Sequence, residues 1–205
     1  MSISKARLIG IDGLGGSGKT TLARILEGQL ENVVLFHIDD FIHPRKIRYD
    51  ESFPEWEAYY HKQWRYDYLI NTILQPLANG LSIDKSIEFY NKEEDLYIRE
   101  QITIPVDTKV IIEGVFLQRE ELRKYLDFVI YIDVDKDTRL KRVLERDTYI
   151  GTEEEIIAKY EQRYFPAEEM YVKEYNPTRL ADQVIVGGKK GKMDIQNVRL
   201  ELGGF

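Results

Sequence analysis

Eight residues near the start of the chain form the pattern with the clearest chemical meaning. Gly13-Leu14-Gly15-Gly16-Ser17-Gly18-Lys19-Thr20 fits G-x-x-x-x-G-K-[ST], the P-loop pattern. Glycines allow successive backbone N–H groups to converge on a phosphate, and a following helix adds the positive end of its dipole. Lys19 supplies a cation for the β- and γ-phosphates, and the Thr20 hydroxyl suits Mg²⁺. The pattern therefore predicts a site for a magnesium–triphosphate.

The flanking residues predict the strand–loop–helix order that a P-loop requires. Leu8, Ile9 and Ile11 form an apolar run typical of a buried strand. The apolar residues after the loop recur at helical spacing: Leu22, Ile25, Leu26 and Leu30. This context strengthens the motif, because a chance match would not bring both elements with it.

Acidic residues follow two further apolar runs. Val33 to Ile38 predicts a second strand that ends in Asp39 and Asp40, and Val110 to Ile112 predicts a central parallel strand that ends in Glu113. The carboxyl ends of parallel strands border the crevice in which α/β sheets bind ligands. One of the paired acids is then a general base or metal ligand that faces a substrate hydroxyl, or else a turn residue or helix cap. Glu113 fits the acid that approaches the metal in P-loop enzymes.

A group of cations lies on a predicted helix from Asp135 to Arg146, which follows a strand from Phe128 to Asp133. Its basic residues are Arg139, Lys141, Arg142 and Arg146. Cations late in a helix stabilise its dipole, which is one interpretation. The alternative is a lid whose arginines close over the phosphates and offset charge in the transition state.

The segment from 42 to 64 is predicted to form a flap, and the sequence leaves open whether it is ordered without substrate. Most of the aromatic residues around it are expected to pack, and one or two to stack on a flat substrate ring: Trp56, Tyr59, Tyr60, Trp64, Tyr66 and Tyr68. His37, His43 and His61 match no compact metal site and are predicted to be surface or local hydrogen-bonding residues.

Weaker patterns predict the remaining elements. Residues 65–78 predict an amphipathic helix, and short β-like runs within 86–104 predict a hairpin or flap. Thr152 and Glu155 have the form of a capping box at the start of a helix that continues as far as Pro166. Val184 to Val186 predicts a last strand, and the polar tail after it is expected to be poorly ordered.

Composition excludes several classes of function. The 205-residue chain has a formal net charge of −7, which disfavours general nucleic-acid binding. It contains no cysteine, so disulfides, thiol catalysis and zinc–thiolate sites are excluded. It has neither a signal-peptide pattern nor an apolar run of membrane-spanning length, so we expect a cytoplasmic protein with no membrane partner.

Taken together, these residues resemble the uridine kinase and phosphoribulokinase-like group of P-loop kinases, which includes nicotinamide riboside kinases. The resemblance covers roughly residues 7–186. Its matched pieces, in order, are Gly13 to Thr21, Asp39-Asp40-Phe41, Phe89-Tyr90-Asn91, Ile112-Glu113-Gly114, Asp137 to Leu140 leading to Arg146-Asp147, and Ala181 to Ile185.

The resemblance implies a role for each matched residue. In such kinases the first Asp after strand two activates the acceptor hydroxyl, which is Asp39 here. The implied metal site is Thr20 and Glu113 with Asp39 close by, and the implied lid arginines are Arg142 and Arg146. The implied nucleotide-binding residues are Gly13, Gly15, Gly16, Ser17, Gly18, Lys19, Thr20 and Thr21. The implied substrate residues are Asp40, Phe41, Tyr90 and the residue at position 65.

Two positions depart from the pattern of the group. Many members have an Asp that holds the ribose hydroxyls where this chain has Arg65, so that Asp is missing unless Asp67 replaces it. Uridine kinases also carry a His soon after the Tyr90 position, where this chain has Lys92 to Asp95. The phosphoryl-transfer residues match the group, whereas these two substrate positions differ from those of uridine kinases.

We predict an α/β fold of the P-loop NTPase type, with a doubly wound, mainly parallel sheet and helices on both faces. A single domain is expected over 1–188, with a flap at about 42–64, a lid at about 139–152 and a tail at 189–205. The predicted activity is Mg²⁺- and ATP-dependent phosphorylation of a nucleoside or riboside-like hydroxyl. The alternatives are an ATPase or switch without a small-molecule acceptor, a non-catalytic nucleotide-binding protein, and a kinase for nicotinamide riboside, pantothenate or a sugar phosphate. The oligomeric state stays open.

Overall fold

The computed structural model describes residues 2–188, so the predicted tail at 189–205 lies outside the described residues. The strands are β1 (Leu8–Gly13), β2 (Val33–His37), β3 (Ile83–Asn91), β4 (Leu96–Ile104), β5 (Lys109–Gly114), β6 (Phe128–Val134) and β7 (Gln183–Gly187). Five of them form a parallel sheet in the order β2-β5-β1-β6-β7. The other two, β3 and β4, form the predicted antiparallel hairpin, which is confirmed.

Helices of the described part lie between these strands in the chain. They are α1 (Lys19–Gln29), α2 (Arg45–Arg48), α3 (Glu55–Lys62), α4 (Tyr66–Leu69), α5 (Gln75–Ala78), α6 (Glu120–Arg123), α7 (Lys136–Arg146), α8 (Glu153–Lys159), α9 (Phe165–Tyr175) and α10 (Pro177–Leu180). The π-helical segments Ile70–Leu74 and Tyr160–Tyr164 join α4 to α5 and α8 to α9. The capping box predicted at Thr152 and Glu155 is present at the start of α8.

Alternate residues of β1 enter different cores, as the two-residue period of a strand requires. Leu8 packs on one face of the sheet with Val110 of β5, while Ile9 and Ile11 pack on the other with Leu22 of α1. All six residues of β1 are buried, which explains why the strand is a continuous run without polar alternation.

Helices cover both faces of the sheet, which confirms the predicted doubly wound α/β fold. One core includes side chains from the α4–α5 run, the β3–β4 hairpin and α9, and the other includes side chains from α1. The aromatic residues of 42–64 mostly pack as predicted, since Tyr60 and Trp64 are buried and both contact the Phe116 ring edge to face. No helix within residues 2–188 has the length and apolar character needed to cross a membrane.

The sheet register brings three strand ends to one edge. His37 of β2 lies beside Glu113 of β5, and Gly114 lies beside Asp12 of β1. Because these strands are parallel, the residues that follow β1, β2 and β5 all emerge at the same carboxyl edge. The predicted chemical residues come from these three positions.

Candidate active site

The loop between β1 and α1 is shaped by glycine. Gly18 adopts a left-handed conformation with φ +104°, and α1 begins at the next residue, Lys19. Gly16 has φ +77°, and a Cβ added there would lie 2.8 Å from the Arg139 carbonyl oxygen of α7. Glycine is therefore needed at position 16 both for the turn and for the close approach of α7.

Two polar side chains of this loop suit a phosphate. Lys19 lines a cavity of about 890 Å³, and its Nζ donates to the Leu14 carbonyl at 3.1 Å. Burial lowers the pKa of Lys19, although the nearby Glu113 carboxylate acts in the opposite direction. The Ser17 hydroxyl is buried and has no hydrogen-bond partner within residues 2–188. An ammonium and an unpartnered hydroxyl on a glycine loop fit a polyphosphate tail.

A carboxylate from β5 meets α1 beside this loop. Thr20 Oγ1 donates to Glu113 Oε1 at 3.0 Å, and His37 Nδ1 lies 2.6 Å from the same oxygen. Burial raises the pKa of Glu113, but the His37 hydrogen bond and the Lys19 charge outweigh it and lower the pKa overall. The hydrogen bond to Glu113 raises the pKa of His37. Sequence reasoning missed this contact between His37 and Glu113. Pairing the ends of the two predicted strands β2 and β5 side by side would have indicated it.

The acid pair after β2 is split by a tight turn over Ile38–Phe41. Asp39 is exposed and lines the cavity, and its Oδ1 accepts a hydrogen bond from Trp64 Nε1 at 3.3 Å. Asp40 turns back instead, and its Oδ2 accepts from the His37 backbone N–H at 3.3 Å. Of the two alternatives for this pair, the structure is consistent with Asp39 facing a ligand and Asp40 acting as the cap.

Phe41 and Asp40, for which the resemblance implies substrate contacts, are not among the residues that line the cavity. Phe41 is completely buried and packs against the rings of Phe36 and Phe89, at centroid distances of 6.0 and 5.5 Å. Apolar packing explains a Phe at this position without any ligand.

The two predicted lid arginines have different surroundings. Arg146 lines the cavity, and its Nε lies 2.6 Å from Asp147 Oδ1. Arg142 does not line the cavity; its Nη1 donates to the carbonyl oxygens of Gly16 and Ser17 at 3.1 and 3.2 Å. In this structure Arg142 therefore supports the loop from behind, and only Arg146 is placed to reach a ligand directly.

Glu168 of α9 is a site residue that sequence reasoning missed. Its Oε1 accepts from the Gly15 backbone N–H at 2.7 Å, and its Oε2 accepts from Arg139 Nη1 at 2.8 Å. The same Arg139 nitrogen donates to the Gly15 carbonyl at 3.0 Å. Burial raises the pKa of Glu168, although Arg139 opposes the shift. No local motif marks this acid, which lies 153 residues from the glycine that it contacts.

The predicted residues that line the cavity together are Gly15, Lys19, Thr20, Asp39, Tyr90, Glu113 and Arg146. Gly13, Gly16, Ser17 and Gly18 frame the loop behind them. Thr21 lies on the exposed side of α1 and lines a separate shallow groove. The cavity is thus lined by the glycine loop, a hydroxyl–carboxylate pair and a separate exposed carboxylate.

Comparison with known proteins decides the family. The model of the phosphoribulokinase/uridine kinase family matches residues 8–186. The chain belongs to this family. A uridine kinase from Staphylococcus epidermidis is 30% identical over 97% of both chains, and one from Staphylococcus aureus is 30% identical over 95% of both. The structure of a possible uridine kinase from Bacillus stearothermophilus is similar, with a TM-score of 0.69 and 35% identity over 87% of this chain and 88% of that one.

Family membership establishes the reaction class. This member of the phosphoribulokinase/uridine kinase family is an ATP-dependent phosphotransferase with a hydroxyl group as acceptor. The described residues contain no cluster of three or more His, Asp or Glu side chains arranged to hold a metal ion. Thr20 and Glu113 instead offer one hydroxyl and one carboxylate. Such a partial set suits Mg²⁺, which takes its other ligands from phosphates and water.

The two departures from the uridine kinase pattern lie in different places in this kinase. Arg65 lies outside the cavity, between the rings of Tyr68 and Tyr97 at 3.9 Å from each centroid, and pairs with Glu88 at 2.9 Å. The substrate contact expected at position 65 stays a prediction, since Arg65 does not line the cavity in this structure. Lys92 does line the cavity, as does Tyr90.

Proposed function

We propose that this kinase transfers the γ-phosphoryl group of Mg²⁺–ATP to a hydroxyl of a nucleoside or riboside-like molecule. The observation that carries the proposal is that Asp39, Lys19 and the Thr20–Glu113 pair line one cavity. The uridine kinases among its relatives support the acceptor class. The cavity of about 890 Å³ is within the range of small-molecule sites.

The loop and its neighbours would hold the donor. Backbone N–H groups of the loop and Lys19 Nζ would bind the phosphates, and Ser17 Oγ would gain the partner that it lacks. Thr20 and Glu113 would hold Mg²⁺, and Asp39 lines the same cavity. When bound, the metal supplies charge neutralisation at the phosphate oxygens.

Asp39 would act as the general base toward the acceptor. Trp64 Nε1 binds Oδ1 and so orients the carboxylate, while Oδ2 is available to a hydroxyl. The acceptor oxygen would attack the γ-phosphorus, its proton would pass to Asp39, and ADP would leave with the cleaved oxygen. Residues of both the flap at 42–64 and the lid at 139–152 line the cavity, which supports a role for them in enclosing the acceptor.

The matched pair Asp39→Asn and Asp40→Asn tests this assignment. Removing a general base should lower kcat by about a hundredfold or more in Asp39→Asn while leaving nucleotide binding intact. Asp40→Asn keeps an acceptor for the His37 backbone N–H and should retain most activity. A coupled ADP-release assay with mass-spectrometric detection of the phosphorylated product measures both. Full turnover in Asp39→Asn would remove Asp39 from the role of base.

The same assay tests the acceptor class. Ribosides should stimulate ADP release and appear as phosphorylated products. ADP release that is equally fast without any acceptor, and without a phosphorylated product, would instead support a nucleotide-hydrolysing switch.

A further inference from the structure

The guanidinium of Arg146 is held along one edge by two neighbouring side chains. Its Nε lies 2.6 Å from Asp147 Oδ1, and its Nη2 donates to Asp147 Oδ2 at 2.9 Å. The same Nη2 donates to Tyr160 Oη at 3.3 Å. Its Nη1 has no hydrogen-bond partner within residues 2–188. Two nitrogens are therefore engaged, and the third is left for a group in the cavity that Arg146 lines.

Tyr160 completes this arrangement from the end of α8. Its hydroxyl donates to Asp147 Oδ2 at 2.7 Å and accepts from Arg146, so each pair among the three side chains is hydrogen-bonded. Asp147 and Tyr160 are each only 3% exposed, whereas the Arg146 side chain is 60% exposed. Burial, with the hydrogen bond to Asp147, raises the pKa of Tyr160, so the hydroxyl keeps its proton and remains a donor. A fixed, buried pair thus supports an exposed guanidinium.

The helix that Asp147 ends does not explain its carboxylate. Asp147 is the C-terminal cap of α7, where unpaired backbone carbonyls give the helix end a partial negative charge. A carboxylate is unfavourable at this end, and a cation would be favourable. Burial of the carboxylate carries a further cost unless its charge is paired. The contacts with Arg146 and Tyr160 are therefore the physical reason for an acid at this position.

Tyr160 also places this arrangement beside the glycine loop. A Cβ added at Gly15 would lie 3.7 Å from Tyr160 Cε1 and 3.9 Å from its Oη. The tyrosine ring contacts the rings of Tyr164 and Phe165, at centroid distances of 4.7 and 5.4 Å. Tyr160 begins a π-helical segment, a distortion that is frequent at functional sites. Gly15, Tyr160 and Arg146 all line the cavity, so the guanidinium lies near the loop proposed to bind the phosphates.

We propose that Tyr160, together with Asp147, is a positioning residue that holds Arg146 toward the γ-phosphoryl group during its transfer. The inference rests on the proposed function, because it requires a triphosphate on the glycine loop. The guanidinium is then in place before the substrates bind, so charge that develops on the transferring group meets a preorganised cation. The Tyr160 hydroxyl acts through Arg146 and needs no contact of its own with the substrates.

Removal of the Tyr160 hydroxyl tests the proposal. Tyr160→Phe keeps the ring and loses the hydrogen bonds to Arg146 and Asp147. With Mg²⁺–ATP and uridine, kcat should fall by about three- to tenfold, while the KM values for ATP and uridine change by less than about twofold. Tyr60→Phe is the matched control, because it breaks a tyrosine–carboxylate bond of 2.8 Å to Glu174 and Tyr60 does not line the cavity. Wild-type kcat in Tyr160→Phe, or the same loss in both variants, would overturn the proposal.

A double-mutant cycle shows whether Tyr160 acts through Arg146. Arg146→Gln should lower kcat by about a hundredfold, because a positioned cation is lost. Adding Tyr160→Phe to Arg146→Gln should then lower kcat by less than a further factor of about two. If Arg146→Gln does not fold, Arg146→Lys replaces it, since lysine keeps a charge for the buried Asp147 but lacks the planar fork. Additive losses, or wild-type kcat in the Arg146 variant, would overturn the proposal.

A binding measurement separates failure of this inference from failure of the proposed function. If neither uridine nor another riboside is phosphorylated by the wild-type protein, the proposed function is wrong. Calorimetry then compares ADP plus aluminium fluoride, which imitates a phosphoryl group in transfer, with a non-hydrolysable ATP analogue. Tyr160→Phe and Arg146→Gln should each weaken binding of the aluminium fluoride complex by about threefold or more, and binding of the ATP analogue by less than about twofold. Equal changes in the two affinities, or no change in either, would overturn the inference.

Discussion

The part of the cavity proposed to bind the nucleotide and the part proposed to bind the acceptor, called here the nucleotide half and the acceptor half, are assembled in different ways. The nucleotide half comes mainly from one continuous stretch, β1, the glycine loop and the start of α1, with Glu113 added by the neighbouring strand β5. The acceptor half comes from α2, the turn of the β3–β4 hairpin and α8. The first uses backbone groups whose positions follow from local sequence, whereas the second uses side chains that only packing brings together.

This difference extends to what supports each half. Behind the loop, Glu168 and Arg139 form an ion pair whose side chains are at most 6% exposed, and Arg142 holds two loop carbonyls. On the acceptor side Arg48 is fixed, but Lys92 and Arg45 are exposed. A rigid nucleotide half beside an adjustable acceptor half suits a fold that keeps one donor and accommodates different acceptors.

The largest effect should come from removing the cation of the nucleotide half. Lys19→Gln should lower kcat/KM by about a hundredfold or more, because a positioned charge near the transferring group is lost. Steady-state kinetics with ATP and the best acceptor measure the loss, and circular dichroism verifies folding. A loss that comes only from a higher KM for the acceptor would contradict the assignment of Lys19 to the nucleotide.

The buried support of the loop should have the next largest effect. Glu168→Gln leaves the Arg139 charge buried without its partner and should lower the free energy of unfolding by about 3 kcal/mol. Glu169→Gln is the matched control, because its pair with Lys136 is exposed and should contribute less than about 1 kcal/mol. Urea denaturation measures both variants. Equal stability of the two would show that the pair does not hold the loop.

Loop geometry can be tested apart from charge. Gly16→Ala should weaken nucleotide binding, because a left-handed backbone with a Cβ 2.8 Å from a carbonyl oxygen carries about 1–3 kcal/mol of strain. Gly28→Ala, near the end of α1, has no atom within 4 Å of the added Cβ. It should stabilise the protein by about 0.5–1 kcal/mol and leave ATP affinity unchanged. Isothermal titration and thermal unfolding separate the two outcomes, and normal ATP binding by Gly16→Ala would contradict the tight contact with α7.

The smallest effect is expected at Arg65, and it tests whether Arg65 belongs to the acceptor half. Arg65→Ala should cost about 1–2 kcal/mol of stability, since a part-buried ion pair and two ring contacts are lost. Arg99→Ala removes the other ion-pair partner of Glu88. The Arg99 side chain is 72% exposed, so its loss should cost less than about 1 kcal/mol of stability. Neither variant should change the KM of the acceptor. A large increase of the acceptor KM in Arg65→Ala, but not in Arg99→Ala, would show that Arg65 contributes to acceptor binding.

Local sequence was sufficient for the order of the elements and for part of the site. The strand–loop–helix arrangement around Lys19 and the doubly wound sheet follow from periodicity and glycine placement, because both reflect backbone conformation over a few residues. Glu113 and Asp39 could be identified for a related reason. They end apolar runs, and the ends of neighbouring parallel strands lie at the same edge of the sheet.

Tertiary structure decided the rest, because the remaining contacts join residues that are distant in the chain. Phe41 matches the family pattern and Arg65 departs from it, and in this structure Phe41 packs against Phe89 and Arg65 pairs with Glu88. Glu168 lies under the loop only because α9 packs there, 153 residues from Gly15. Arg48 faces the cavity because Tyr90, 42 residues away, holds its guanidinium. Sequence spacing records the backbone period of each element, whereas the direction of a side chain between elements depends on how those elements pack.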